Sequence, residues 1–132
     1  MKIAVARYPI DAPGSFEAFA DKQAAWVAEA AAGGARVVVL PEYLALELAA
    51  AFPPPVCGDL AASLHALQSW REAWVALFRG LAQRHALYLV PGTFLLDVGG
   101  RFRNRADLFT PEGGHLWQDK LQLTGFEKAT GR

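Results

Sequence analysis

Two residues stand where this sequence could do chemistry. Glu42 follows the run Val37-Val38-Val39-Leu40 with only Pro41 between. Such a run reads as a strand buried on both faces, as in a parallel sheet. Ligands of open α/β sheets bind beyond the carboxyl ends of the strands. A carboxylate at that place is partly desolvated, which lifts its pKa toward that of a useful general base. The same position suits a plain helix-start carboxylate, because a short helix over Tyr43–Phe52 is expected next. Position alone leaves both readings open. Lys120 closes the apolar and aromatic stretch Leu116-Trp117-Gln118-Asp119 and could set a fixed positive charge against a developing oxyanion. Taken by itself, a strand-end lysine is more often half of a surface ion pair, here with Asp119 or Glu127.

The other reactive side chains offer less. Cys57 is the only thiol, in the turn-rich stretch Pro53-Pro54-Pro55-Val56-Cys57-Gly58-Asp59, and its nearest histidine in sequence is His65. An unassisted thiol with a pKa of about 8.5 is mostly protonated at neutral pH, so a structural role is the expectation. His65, His85 and His115 are scattered, with no second ligand at metal spacing, so no metal is expected. Gly-x-Ser-x-Gly, Gly-x-Gly-x-x-Gly and P-loop patterns do not occur, and no cofactor is expected.

The elements that position Glu42 and Lys120 follow from periodicity. Lys2 to Tyr8 centres on Ile3-Ala4-Val5-Ala6, a first buried strand. Ser15 is a plausible N-cap for a helix from Phe16 to Ala32. Phe19, Trp26 and Ala30 fall on one side of that helix with Gln23 between them, and Gly33-Gly34 stops it. Arg36 to Leu40 is the second strand, which makes a βαβ unit with parallel strands. Ser63 to Ala86 reads as one long helix, with Leu64, Leu67, Trp70, Trp74, Leu77, Phe78 and Leu81 at three- and four-residue steps. Leu87 to Val90 is a third strand, and Thr93 to Leu96 extends it beyond Pro91-Gly92. Gly99-Gly100 reads as a hairpin turn. Arg101 to Thr110 alternates through Phe102, Asn104, Ala106 and Leu108, and His115 to Leu121 is a final strand after a turn at Pro111–Gly114. The chain therefore starts βαβ and ends as a β-meander.

Composition sets the outer limits. At 132 residues, with 53% apolar and 20% charged residues, the chain is sized for one domain with a true core and is not a disordered tail. Thirteen basic and thirteen acidic residues cancel, which argues against nucleic acid as a partner. One cysteine permits no intrachain disulfide and fits a reducing compartment. No apolar run approaches the ~20 residues that span a bilayer, and the N-terminus lacks a secretory apolar region, so no membrane partner and a cytoplasmic location are expected.

Three blocks carry a resemblance. The first is Gly33-Gly34-Ala35 with Val37-Val38-Val39-Leu40-Pro41-Glu42. The second is Asn104 in Arg103-Asn104-Arg105-Ala106-Asp107-Leu108-Phe109, followed by Pro111 and Gly113. The third is Lys120 in the stretch from Asp119 to Glu127. In this order they resemble the N-terminal part of the nitrilase superfamily, the carbon–nitrogen hydrolases. The resemblance implies an α/β fold, the N-terminal part of a nitrilase-like α-β-β-α sandwich. It also implies a Cys-Glu-Lys triad that hydrolyses a small-molecule amide, or else a nitrile, through an acyl-thioester. Glu42 would be the general base, Lys120 the oxyanion stabiliser and Glu127 a supporting carboxylate. A homo-oligomer is the expected assembly. The family's nucleophile lies well beyond the lysine, and Cys57 falls in the wrong block to match it. Residues 1–132 are thus expected to be a single partial domain whose inner sheet face is left open. A fragment of a longer enzyme, a truncated gene or a second chain that supplies the rest would each account for this. The alternatives are a catalytically inactive remnant or interaction module, and an unrelated small α/β binding domain.

Overall fold

A computed structural model describes residues 2–5, 14–41, 44–45 and 60–119. Along these, the order is β1 (Lys2–Val5), α1 (Phe16–Ala32), β2 (Ala35–Val39), α2 (Leu60–Leu67), a 3-10 turn (Gln68–Trp70), α3 (Arg71–His85), β3 (Tyr88–Val90), β4 (Thr93–Val98), β5 (Arg101–Phe109) and β6 (His115–Asp119). The expected helix over Tyr43–Phe52 lies outside the described residues except for Leu44 and Ala45, both buried.

Local signals fix α1. The Ser15 hydroxyl accepts from the Ala18 N–H at 3.1 Å, and Glu17 sits in the first turn. At the other end the Gly34 N–H bonds Ala31 O, and Lys2 Nζ of β1 reaches Gly33 O at 2.7 Å. The buried stripe is Phe19, Gln23 and Val27, with Ala30 packed against the core beside it; of the expected face only Trp26 departs, being partly covered while Val27 next to it is buried. Removing the cap by Ser15→Ala is expected to cost about 1 kcal/mol, read as a shift of the urea midpoint.

The long helix expected over Ser63–Ala86 is broken. The Gln68 side-chain amide donates to Leu64 O and to Leu95 O, each at 2.8 Å, and its oxygen accepts from the Asp97 N–H at 2.9 Å. Ser69 Oγ donates back to Ala66 O at 2.8 Å. These bonds tie the helix to β4 and compete with its own ladder, and the chain answers with the 3-10 turn. Beyond the turn, α3 lays Trp74 against Phe19, Phe78 and Phe94, with ring centroids 5.7, 4.8 and 5.3 Å away, and all four rings are fully buried.

The sheet is mixed. β1, β2 and β3 run parallel. β3 and β4 both pair antiparallel with one edge of β5, separated by Pro91-Gly92, and β6 pairs antiparallel with the other edge. Thr93 to Leu96, expected to extend the third strand beyond Pro91-Gly92, belongs instead to a separate strand, β4, and Gly92 between the two has φ +78°. The hairpin glycines Gly99 and Gly100 have φ of +62° and +89°, as a two-residue hairpin turn requires.

Two neighbouring rungs show how the sheet is used. Ala4, Val38, Leu89, Phe109 and His115 are ladder partners across five strands and lie toward α1 and α3. The next rung, Val5, Val39, Val90, Leu108 and Leu116, faces the other way; Val5 is 72% exposed and Leu116 60%. An uncharged, apolar outer rung is what a sheet buried on both faces carries, so the inner face is open as the resemblance implies. Burial along β5 changes phase: Phe102 and Asn104 are buried, then Asp107 and Phe109 rather than Ala106 and Leu108. The reason is two different helices. α2 meets Phe102 through the His65 ring at 5.2 Å, whereas α3 meets Asp107 through Arg71.

Candidate active site

Strand direction brings the two ends of interest together. β5 is antiparallel to β3 and β6 is antiparallel to β5, so β6 runs in the same direction as β2. The carboxyl ends of β2 and β6 therefore lie at one end of the sheet, three strand spacings or about 14 Å apart. Glu42 is the second residue after Leu40, and Lys120 is the residue after Asp119. Glu42, Lys120, Glu127 and Cys57 themselves lie outside the described residues.

At the β2 end, the Leu40 N–H donates to Val90 O at 2.8 Å, carrying the β2–β3 ladder one step further. Pro41 then passes directly over Gly92. A Cβ on Gly92 would lie 1.9 Å from Pro41 O and 2.9 Å from Pro41 C. Only a glycine admits this crossing, and it sets where the chain leaves β2 just before Glu42. Sequence reasoning took Pro91-Gly92 as punctuation; a glycine directly after a buried apolar run was the available signal for a close backbone approach.

At the β6 end, Arg105 and Asp119 are direct cross-strand partners. Arg105 Nε donates to Asp119 Oδ1 at 2.8 Å and Nη2 to Oδ2 at 3.2 Å. The guanidinium lies 3.6 Å from the centre of the Trp117 ring. Asp119 thus has an ion pair with Arg105.

A second carboxylate was not anticipated. Asp107 is buried on β5 and receives both Arg71 Nη1 and Nη2 at 2.8 Å, while His115 Nε2 lies 2.8 Å from its Oδ1. The His115 ring also stacks on Phe109 with centroids 4.5 Å apart. Burial pushes the Asp107 carboxyl up, but the hydrogen bonds and charges of Arg71 and His115 outweigh it and hold it below its ordinary value of 3.8. A carboxylate depressed in the folded state stabilises the fold above its unfolded pKa, and that contribution is lost as pH falls through the folded pKa. Acid titration followed by near-UV circular dichroism is therefore expected to show a loss of stability below about pH 4 that Asp107→Asn flattens. No spacing rule could have found this site, because Arg71 is 36 residues away on another element.

Two hollows lie near these elements. One of about 230 Å³ lies between α1 and the β1–β2 pair, walled by Val5, Trp26, Glu29, Val38 and Leu40. The other, about 250 Å³, is a groove on the open sheet face along Val90, Ala106, Leu108, Leu116 and Gln118. No group of three His, Cys, Asp or Glu among the described residues could hold a metal, and no described helix is long and apolar enough to cross a membrane.

No protein-family model matches the sequence, and no curated protein matches it. Solved structures do. A carbon–nitrogen hydrolase from Helicobacter pylori is 19% identical and superposes with a TM-score of 0.74 over 98% of this chain and 43% of its own. An amidase from Nesterenkonia sp. is 23% identical, with a TM-score of 0.65 over 99% of this chain and 46% of its own. A CN-hydrolase superfamily protein from Xanthomonas campestris is 22% identical, with a TM-score of 0.65 over 90% of this chain and 41% of its own. At these identities the likeness establishes the fold, and the chain spans less than half the length of the proteins it matches.

Proposed function

We propose that this chain, which has the fold of the N-terminal portion of the carbon–nitrogen hydrolases, contributes the base and the oxyanion stabiliser of an enzyme that hydrolyses small amides. The observation that carries the reading is the shared direction of β2 and β6, whose carboxyl ends precede Glu42 and Lys120 at one end of the sheet. In this reading Glu42 takes the proton of a cysteine thiol as the sulfur attacks the amide carbon. The Lys120 ammonium faces the oxyanion that forms, and Glu42 returns the proton to the departing ammonia. Glu42 then deprotonates the water that attacks the thioester carbon, the carbon–sulfur bond breaks, Glu42 gives that proton back to the cysteine sulfur, and the carboxylic acid leaves. Glu127 is the supporting carboxylate, and residues 1–132 form one partial domain of a homo-oligomeric enzyme. Amide is favoured over nitrile because a double mutant of the Nesterenkonia amidase crystallises with acrylamide.

The test is the intact mass of the protein as its native source makes it, joined to ammonia release from acrylamide. A mass well above 14.3 kDa, a further cysteine beyond Lys120 and release blocked by iodoacetamide are expected. A mass of 14.3 kDa without ammonia release would overturn the enzyme reading. It would favour the inactive remnant, which the lone Cys57 between Glu42 and Lys120 supports.

A further inference from the structure

We infer that the free edge of β6 is a docking surface for a second copy of this chain, the two β6 strands pairing antiparallel about a two-fold axis at Trp117. Copies of the proposed homo-oligomeric enzyme would meet here, but the pairing stands on the strand alone and holds whether or not the chain is an enzyme. An unpaired strand edge is a row of backbone donors and acceptors that another strand can complete. Folded proteins blunt such edges with lysine, proline, a bulge or a covering group. Two of the edges that end the sheet among the described residues are blunted in this way. β1 is four residues long, begins at Lys2 and loses register between Lys2 and Ile3. The outer edge of β4 is covered by the Gln68 side chain, which donates to Leu95 O and accepts from the Asp97 N–H. β6 has none of these devices. His115-Leu116-Trp117-Gln118-Asp119 keep unbroken register with β5 and include neither lysine nor proline. The carboxylate of Asp119 is held by Arg105, while Leu116 and Trp117 are 60% and 54% exposed.

The turn before β6 fixes which of its backbone groups face outward. The Thr110 N–H donates to Gly114 O at 3.0 Å. Hydrogen-bonded pairs alternate along an antiparallel ladder, so they continue at Leu108–Leu116 and Ala106–Gln118. His115, Trp117 and Asp119 therefore turn their N–H and C=O groups to the free edge. An antiparallel copy centred on Trp117 meets all three. Trp117 then stands opposite Trp117 of the second copy, and His115 opposite its Asp119, for about six backbone hydrogen bonds. Any shift of this register leaves one end of the strand unpaired. The side chains across the pairing are complementary as well: two indoles meet at the axis, and an imidazole faces a carboxylate at each end. The Arg105 guanidinium, 3.6 Å from the centre of the Trp117 ring, holds the indole in place beforehand, so little side-chain freedom is left to lose on docking. A five-residue strand pair is small beside a standard interface of roughly 1,600 Å², so the dimer is expected to be weak and concentration-dependent.

Sedimentation equilibrium of the 132-residue protein, from about 1 µM to about 500 µM, reads the association. The mass is expected to rise from 14.3 kDa toward twice that value. Trp117→Pro removes an outward N–H and leaves the β5–β6 bonds in place. It is expected to weaken the dimer at least about tenfold, because the bond is lost on both sides of the axis. Trp117→Lys is expected to do the same by setting two ammonium groups face to face, which keeps a test in hand if the proline variant does not fold. Circular dichroism checks folding. Val98→Lys, at an exposed apolar residue of β4, and Val5→Lys, on the open sheet face, are expected to dimerise as wild type does. In a Cys57→Ser background, Trp117→Cys is expected to form an interchain disulfide under mild oxidation, and Val98→Cys is not. A mass of 14.3 kDa at every concentration, or a dimer that survives both Trp117→Pro and Trp117→Lys, would overturn the inference. So would a dimer abolished by Val5→Lys, which would move the contact to the open sheet face. A Trp117→Cys protein that dimerises without cross-linking would overturn the pairing about Trp117.

Discussion

Gly92→Ala is expected to destabilise the protein by about 4 kcal/mol, a large part of the 5–15 kcal/mol that holds a typical domain together. Two costs combine. An L-residue at φ +78° pays about 1–2 kcal/mol for the left-handed conformation. The remainder comes from the new methyl, which would lie 1.9 Å from Pro41 O and 3.3 Å from the Leu44 Cβ. The nearest obstacle is backbone, so relief requires Pro41 to move and strains the Leu40–Val90 hydrogen bond beside it. Gly99→Ala is the control. Gly99 also has positive φ, +62°, but nothing within 4 Å of its would-be Cβ, so it pays the conformational cost of about 1–2 kcal/mol alone. Urea midpoints of the two variants decide the matter. Equal losses would mean that the crossing of Pro41 over Gly92 carries no energetic weight.

The second large effect is on turnover. In a form of the protein that releases ammonia, Glu42→Gln is expected to lower kcat/KM by about 10²–10⁴, the range for a lost general base. Lys120→Gln is expected to cost about 10²–10³, as for one lost oxyanion donor. The double variant should be far less impaired than the product of the two, because groups that act as a unit fail together. Steady-state ammonia release over a range of acrylamide concentrations measures all three. A Glu42→Gln protein within a few-fold of wild type would remove Glu42 from the proton transfers and return it to the helix-start role that its position also allows.

Such effects depend on how the strand ends are held, and the sequence reveals only part of that. Elements whose signals are local were legible. α1 begins at a serine that caps its own third residue on and ends at Gly33-Gly34, and the run at Val37–Leu40 needs no distant partner to read as a buried strand. The Gly99-Gly100 turn was likewise plain, because two consecutive left-handed residues are a task for glycine. The break at Gln68 was not legible, since it is set by Leu95 and Asp97 on β4, 27 and 29 residues away. The change of phase along β5 was hidden for the same reason: different helices cover its two halves.

The candidate site divides along this line. Residue types and their order singled out Glu42 and Lys120, because chemistry needs a carboxylate and a cation and a strand end is a place to put them. That order could not say which carboxylate each arginine would take, nor that Asp107 would be buried between Arg71 and His115. Pairing across strands and packing of helices on a sheet are decided by register, and register is a property of the assembled fold. Only the tertiary structure turned β6 to run with β2, laid Pro41 over Gly92 and gave Asp119 to Arg105. Each is a contact between residues far apart in the chain, where the energy of burial and charge pairing outweighs any local preference.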